Sequence, residues 1–539
     1  MASWRRVRAA AFLAAVGGTI GIVYPAFATA SSGPSAPSGS VMTPAATLNV
    51  APATRVTMTN NVTAANTATQ QASPAPLSPA GSAALAAMKQ QSASAPVGAR
   101  TAFAPSTNST TTASGRFAAA SECDGDGNSF GCWYPPDVNA AVGSTQIVEV
   151  VNNAVEVFKK STARTLLAET SLNTLMLGYV TEPLFDPRVL WDPFYNRWII
   201  SATSFPDGSC NQYQWLAFST SADATKPWFV TYVNMAGADG QGCGGFWDYP
   251  QIGQNQDAVT VTANVFTSSS YLGAATFNVP KYSVYQGGGW TSWFYQHLPG
   301  TTTPTNVIDN NFYAYELEAP VGGSSFGLYY WSVPGHMLYS YMYAATYPIS
   351  VPSFAVPPNA AQPGTDIQVD TLDGRFVSDP VQIGSNIWAT QTVGVRGYPT
   401  IRWYEFGAYS SSLEQTNDAY WSRYSDDWNS AIAVDSSGNA MLEWTTSQVA
   451  GGTVYPSIAV EGRLSGDAAN TMSAPIKAFA GTLSETSNGT PSRWGDTSSI
   501  QADYQNPGAF WWANETVLAS TPASSPGWGT EIGRSTIGP

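Results

Sequence analysis

Between Asp137 and Glu515 one unit recurs: an acidic or amide residue, a short β-like run, a turn, and a second β-like run. Asp137 opens DVNAAVGSTQIVEVV, Asp186 opens DPRVLWDPFYNRWIISATS, Asp248 opens DYPQIGQNQDAVTVTANVF and Asp379 opens DPVQIGSNIWATQTV. Asn429 holds the same place in NSAIAVDSSGNAMLEWTTS, as does Asp496 in DTSSIQADYQNPGAFWWANE. Neighbouring copies stand about 50–65 residues apart, and the longer gap between Asp248 and Asp379 holds a degenerate copy from Val307. A period of that length means a repeat architecture, and it suits a four-stranded antiparallel sheet with its turns.

Turn chemistry punctuates the copies at Asp192-Pro193, Asp435-Ser-Ser-Gly438-Asn439 and Asn506-Pro507-Gly508. Aromatic residues make up 12% of the chain, with 48 Gly and 37 Pro, a mixture that favours strands and turns over helices. No convincing amphipathic helix separates the runs, so a parallel α/β sheet is disfavoured. The expected fold class is therefore all-β, a β-propeller of six or seven blades whose radial closure leaves only short edges. A pair of β-sandwiches or a β-helix is the alternative.

The N-terminus carries Arg5, Arg6 and Arg8, an apolar run from Ala9 to about Tyr24, and small residues at Ala26-Phe27-Ala28. That is the pattern of a secretory signal peptide over residues 1–30. Gly17, Gly18, Gly21 and Pro25 interrupt a run already short for a membrane span, and no later stretch is long enough for one. Residues 31–115, rich in Ala, Ser, Thr and Pro, read as a disordered linker or pro-segment, with the propeller over 116–539. A secreted, extracellular monomer is expected. Four cysteines suit an oxidising compartment, and nearest-neighbour pairing gives Cys123–Cys132 and Cys210–Cys243, one of three connectivities.

A net charge of −14 excludes a nucleic-acid backbone as partner, because such binding needs a basic footprint. With 22 Lys and Arg and two His, little positive charge accumulates in acid, so tolerance of acid surroundings is expected.

Several segments, in order, resemble those of a broad group of secreted bacterial sialidase-like β-propeller proteins: PPDVNAAVG (135–143), DPRVLWDPFYNRW (186–198), WDYPQIG (247–253) and RWGD (493–496). The resemblance spans roughly 133–535 and implies a propeller, without implying an activity. The chain departs from true sialidases in having no S-x-D-x-G-x-T-W box.

If each repeat Asp begins the innermost strand of its blade, the side chains converge at one end of the channel. Converging carboxylates serve as an acid/base pair, hold a cation, or fix the blade turns through backbone hydrogen bonds. Asp186, Asp248 and Asp496 are the catalytic candidates, with Glu405 and Glu515 as further carboxylates. Arg188, Trp247, Tyr249, Arg493 and Trp494 are the substrate-binding candidates, since sugars stack on flat rings beside polar groups. Asp124, Asp126 and Asn128 match the opening of a Ca²⁺ loop in part: Ser129 replaces the glycine and Pro135 the bidentate glutamate. Structural Ca²⁺ is thus the one cofactor considered, and none is required. Gly323-Ser-Ser-Phe-Gly327 fits G-x-S-x-G without the strand-to-helix setting that motif needs.

Two functions fit these features. One is a carbohydrate-active protein, a glycoside hydrolase acting on a polysaccharide or cell-surface glycan with carboxylates at the channel mouth. The other is a non-catalytic propeller that binds glycan or protein. An acid-tolerant secreted peptidase is a third reading with no motif behind it.

Overall fold

The computed structural model describes residues 38–58, 71–72, 79–95, 100, 105–106, 108–121, 133–152, 154–179, 181–238, 242–332, 340–486, 489–519 and 527–539. The signal peptide lies outside them, as do the Ca²⁺-loop residues Asp124, Asp126 and Asn128 and the pair Cys123 and Cys132.

Each repeat folds as an antiparallel meander. The meanders begin at Asn139–Val142, Leu184–Asp192, Phe246–Gln254, Thr301–Pro304, Val381–Ile383, Asp426–Val434 and Ser499–Ala502. A two-residue strand, Asn306–Val307, runs parallel to both Gln254 and Val381 and joins two meanders into one ten-stranded sheet. First strands lie beside first strands, and Ser499–Ala502 returns to Asn139–Val142, so the sheets close as a β-propeller. The last sheet takes its outer strand from earlier in the chain: Thr110–Ser121 pairs antiparallel with Gly527–Gly538. The two ends of the domain therefore hold the ring shut.

Sheets buried on both faces explain the near-continuous apolar strands such as Gln146–Val151 and Ala258–Phe266. Between the first two sheets Val148, Val150 and Val157 meet Trp191, Trp198, Trp215 and Trp228. The buried Trp198 and Trp228 keep their Nε1–H groups satisfied on the carbonyls of Ala222 and Ala224. The turn residues act as expected: Asp192 Oδ1 accepts from the N–H of Phe194, and Asp435 Oδ1 from those of Ser437 and Asn439.

The segment expected to be a disordered linker is ordered in part. Strands β1 (Gly39–Val41), β2 (Ala46–Val50) and β3 (Thr54–Val56) add to the outer strands Met342–Ala345, Trp290–Leu298 and Trp228–Asn234. Helix α1 (Pro79–Ala93) follows, and Arg100 is buried against the side chains of Thr400 and Asp427. Edge pairing uses backbone donors and acceptors and needs little apolar side chain, so composition alone did not exclude it. Of the two expected disulfides, Cys210–Cys243 is present. Gly323–Gly327 lies at the start of a strand, Gly323–Trp331, which excludes a nucleophile turn there.

Candidate active site at the axial carboxylates

Three of the repeat positions, Asp186, Asp248 and Asn429, sit at backbone bulges. Asp137, Asp186, Tyr249 and Asn429 have φ values of 47°, 48°, 54° and 50°. The ladder register slips between Phe185 and Arg188, between Asp248 and Gln251, and between Trp428 and Ser430. Pro187 and Pro250 occupy two of these slips, where a residue without an N–H loses no ladder bond. Bulges re-aim side chains.

Asp137, Asp186, Asp248 and Asp496 are all buried and close enough to interact electrostatically. Burial raises the Asp186 carboxyl from 3.8 to about 8, with Asp248 and Asp496 adding to the rise. Burial and Asp496 likewise raise Asp248 to about 7, against the pull of Arg375. Asp137 is raised by burial and then by Asp496 and Asp186. Positive charge within the group comes from Arg493, whose Nη2 lies 3.3 Å from Asp496 Oδ1. Burial disfavours the Arg493 cation, but Asp496, Asp137 and Asp186 outweigh it and hold the guanidinium charged. Glu515 lies alongside and accepts the Gly495 N–H at 2.6 Å. Among the described residues no group of three or more His, Cys, Asp or Glu is arranged to hold a metal ion.

Some of the cluster is also scaffold. Asp137 Oδ1 accepts the Asp496 N–H at 2.6 Å, and its other oxygen accepts from Asn152. Asn429, at the corresponding place, donates to the Gly495 carbonyl at 2.9 Å. Asp379 stands apart from the four, and burial raises it to about 7 against the opposing charge of Arg188. Glu405 is elsewhere, bound to Asn386 and Gln415.

Two of the expected sugar platforms are core residues. Trp247 is 0% exposed, packs on Phe277 and Phe294, and donates its Nε1–H to Gln214. Trp494 is 2% exposed and meets Trp428 edge to face. The sheets close on both rings and leave no face for a sugar. Tyr249 is also buried; its ring lies under the guanidinium of Arg375 at 4.6 Å and that of Arg188 at 5.5 Å, and its hydroxyl donates to the Phe376 carbonyl. Arg188 is buried and donates from Nε to the Pro250 carbonyl.

A cavity of 490 Å³ reaches one member of the group, Asp496, which lines it together with Arg493, Asp370, Asp373 and Arg375; Asp137, Asp186 and Asp248 are not among its lining residues. Arg375 binds Asp373 through two hydrogen bonds, of 2.7 and 2.6 Å. The opposite side is helix α1, with Leu85 and Lys89 turned to the cavity. Sequence reasoning missed Asp370, Asp373, Arg375 and Lys89. In a chain with 22 Lys and Arg, the cation in LDGRF (372–376) and the helix-forming run AALAAMKQQ were available signals.

No family model matches the chain, and no curated protein does. Solved structures similar to it include an α-L-arabinofuranosidase of Fusarium graminearum with arabinobiose, at 8% identity and TM-score 0.35 over 78% of this chain and 98% of that one. An exo-β-1,3-galactanase from Phanerochaete chrysosporium matches at 8% identity and TM-score 0.30, over 78% and 100%. Drosophila Plexin A, in complex with Semaphorin 1b, matches at 8% and 0.32, over 80% and 88%.

Proposed function

We propose that this is a secreted, carbohydrate-active propeller, a glycoside hydrolase whose carboxylates work at the mouth of the channel. The observation that carries this reading is the pairing of opposite roles in one place. Burial and mutual repulsion keep Asp186 and Asp248 protonated towards neutral pH, while Asp496 faces the cavity beside Arg493. Cleavage of a glycosidic bond requires a proton donor and a carboxylate together; Asp496 lines the cavity, and Asp186 and Asp248 are buried within electrostatic reach of it. In this reading Asp186 or Asp248 is the acid and Asp496 the base or nucleophile. Arg493 and Arg375 orient the sugar hydroxyls.

The meanders are read as seven blades, the ten-stranded sheet counting as two. The Cys210–Cys243 bond supports an oxidising, extracellular location reached through the signal peptide of residues 1–30. A monomer with structural Ca²⁺ at Asp124, Asp126 and Asn128 completes the reading. The binding-only alternative is favoured by one observation: Asp137 spends its oxygens on Asp496 and Asn152.

The test is reducing-sugar release from a polysaccharide panel by the full chain and by Asp186→Asn, Asp248→Asn and Asp496→Asn. Loss of about 100-fold or more in Asp496→Asn and in at least one of Asp186→Asn and Asp248→Asn, each with an unchanged circular dichroism spectrum, supports the hydrolase. Binding of a panel member with no product from any of them leaves the glycan-binding reading.

A further inference from the structure

Helix α1 reaches the cavity through one buried residue. Lys89 Nζ lies 2.7 Å from Asp370 Oδ1, 3.0 Å from Asn359 Oδ1 and 3.2 Å from Thr371 Oγ1. Three oxygens from the loop 359–371 thus converge on one ammonium, the number of donors an ammonium carries. That loop is tied to the segment bearing Arg493 and Asp496: Asp370 N–H donates to the Ser492 carbonyl, and Ser492 N–H to that of Gln368. The seat and the Arg493–Asp496 pair are therefore held in one frame.

The charges of the cavity balance only with the helix in place. Asp373 is matched by Arg375 and Asp496 by Arg493, whereas the cation bonded to Asp370 comes from α1. Burial raises the Asp370 carboxyl, but the charge and hydrogen bond of Lys89 outweigh it and the group ends below its ordinary value. With α1 withdrawn, a half-buried carboxylate flanked by an amide and a hydroxyl oxygen would face the cavity without its bonded counter-charge, opposed only by the weaker field of Arg493. Such a seat selects a compact primary ammonium and leaves a neutral acetamido group in the same place with no charge to meet. The rest of the helix grips weakly: Leu85 is half-buried, and most of its other described side chains are exposed.

We propose that Asp370, Asn359 and Thr371 form an ammonium subsite of the cavity, that Lys89 of α1 occupies it in place of the ligand, and that the ligand is a glycan bearing free amino groups. This rests on the glycan reading above and names the substrate class of the same site. Helix and ligand compete for one seat.

The test is binding of a glucosamine hexamer and its fully N-acetylated counterpart to the full-length protein, by calorimetry in mildly acidic buffer. Lys89→Met empties the seat while keeping the stem of the side chain, and Leu85→Ser loosens the helix with the seat intact. Each is expected to bind the glucosamine hexamer at least tenfold more tightly than the unmodified chain, with the N-acetylated hexamer unbound. Lys89→Arg should show a smaller gain, and Asp370→Asn combined with Leu85→Ser should abolish the binding. Equal binding by the unmodified chain and both loosened variants overturns the inference, as does equal affinity for the two hexamers. Preference for a tetralysine peptide overturns it in favour of a peptide ligand. Tight binding without reducing-sugar release removes the hydrolase reading and leaves this inference standing. Hydrolysis of an amine-free glycan at a rate indifferent to Lys89→Met does the reverse.

Discussion

The backbone N–H of Asp496 donates to Oδ1 of Asp137 at 2.6 Å, across the seam where the last sheet of the ring meets the first. The repeat residue of one end of the fold thereby anchors the repeat residue of the other. Both are buried, so the bond is shielded from water.

Asp137→Ala is expected to leave that N–H without its acceptor and to place alanine at a φ of 47°. A buried unsatisfied donor costs about 1–3 kcal/mol. Urea unfolding should register a loss of that order, while Asp366→Ala, at an exposed position, should change stability by less than about 0.5 kcal/mol. Equal midpoints for the two variants would show that the seam does not depend on this contact.

The raised carboxyls set a pH dependence. Asp186 at about 8 and Asp248 at about 7 bind protons more tightly in the folded than in the unfolded chain. Their contribution is complete below the ordinary value of 3.8 and is lost as pH rises through about 7–8. Asp373 and Asp503 are held low, the first by Arg375 and the second by Lys160 and hydrogen bonds that outweigh burial, so their contribution is lost as pH falls below the ordinary carboxylate range. Melting temperature should therefore be highest in mild acid, near pH 4–5, and fall as pH rises to about 8. Asp186→Asn should flatten that fall. A melting temperature that rises from pH 5 to 8 contradicts the burial of Asp186 and Asp248 as neutral acids.

Lys281 and Asp192 form an ion pair of 2.7 Å with both side chains at 0% exposure. Tyr285 donates to the same carboxylate oxygen at 2.6 Å, and Lys281 also donates to Gln254 at 2.8 Å. Removing one partner of such a pair strands the other in the core at a cost of about 3–5 kcal/mol. Lys281→Met should lower stability by that order in urea unfolding. Replacing Asp192 as well, in Lys281→Met with Asp192→Asn, should restore part of it, because the stranded charge is gone. No recovery in the double variant would assign the loss to packing.

Much of this architecture is readable along the chain, and the unread parts share a cause. The Asp of each repeat, the Asx turns at Asp192 and Asp435, and the apolar strands between them are local signals, so the sheets follow from short windows of sequence. Radial packing then hides what those windows present as site features: Trp247 and Trp494 stand beside Asp248 and Arg493 in sequence but face the interior. The cavity wall is a long-range product. Lys89 meets Asp370 across a separation of 281 residues, and no periodicity marks either. The Ala/Ser/Thr-rich arm pairs through its backbone, to which composition is nearly blind.

That arm supplies the last prediction. β1, β2 and β3 cover the outer edges of three neighbouring sheets, at Met342–Ala345, Trp290–Leu298 and Trp228–Asn234. Without them these strands would present rows of unpaired N–H and C=O groups, the template on which other chains add. The middle edge carries Trp290 and Trp293, and the edge beside it Tyr232, which is 45% exposed even with β3 in place. Proline prevents such pairing because it offers no N–H to the ladder. Thr47→Pro with Leu48→Pro, in β2 opposite Trp293 and Ser292, should therefore uncover the middle edge while leaving the ring closure at Thr110–Ser121 untouched. Light scattering on warming should show self-association at a lower temperature than for the unmodified chain. The same substitutions at Ala468 and Ala469, exposed in a loop outside the sheets, should not reproduce the effect. Equal onset temperatures for the two variants would mean that the arm decorates the blades without protecting them, and edge protection would then have to come from the twist and short length of the outer strands themselves.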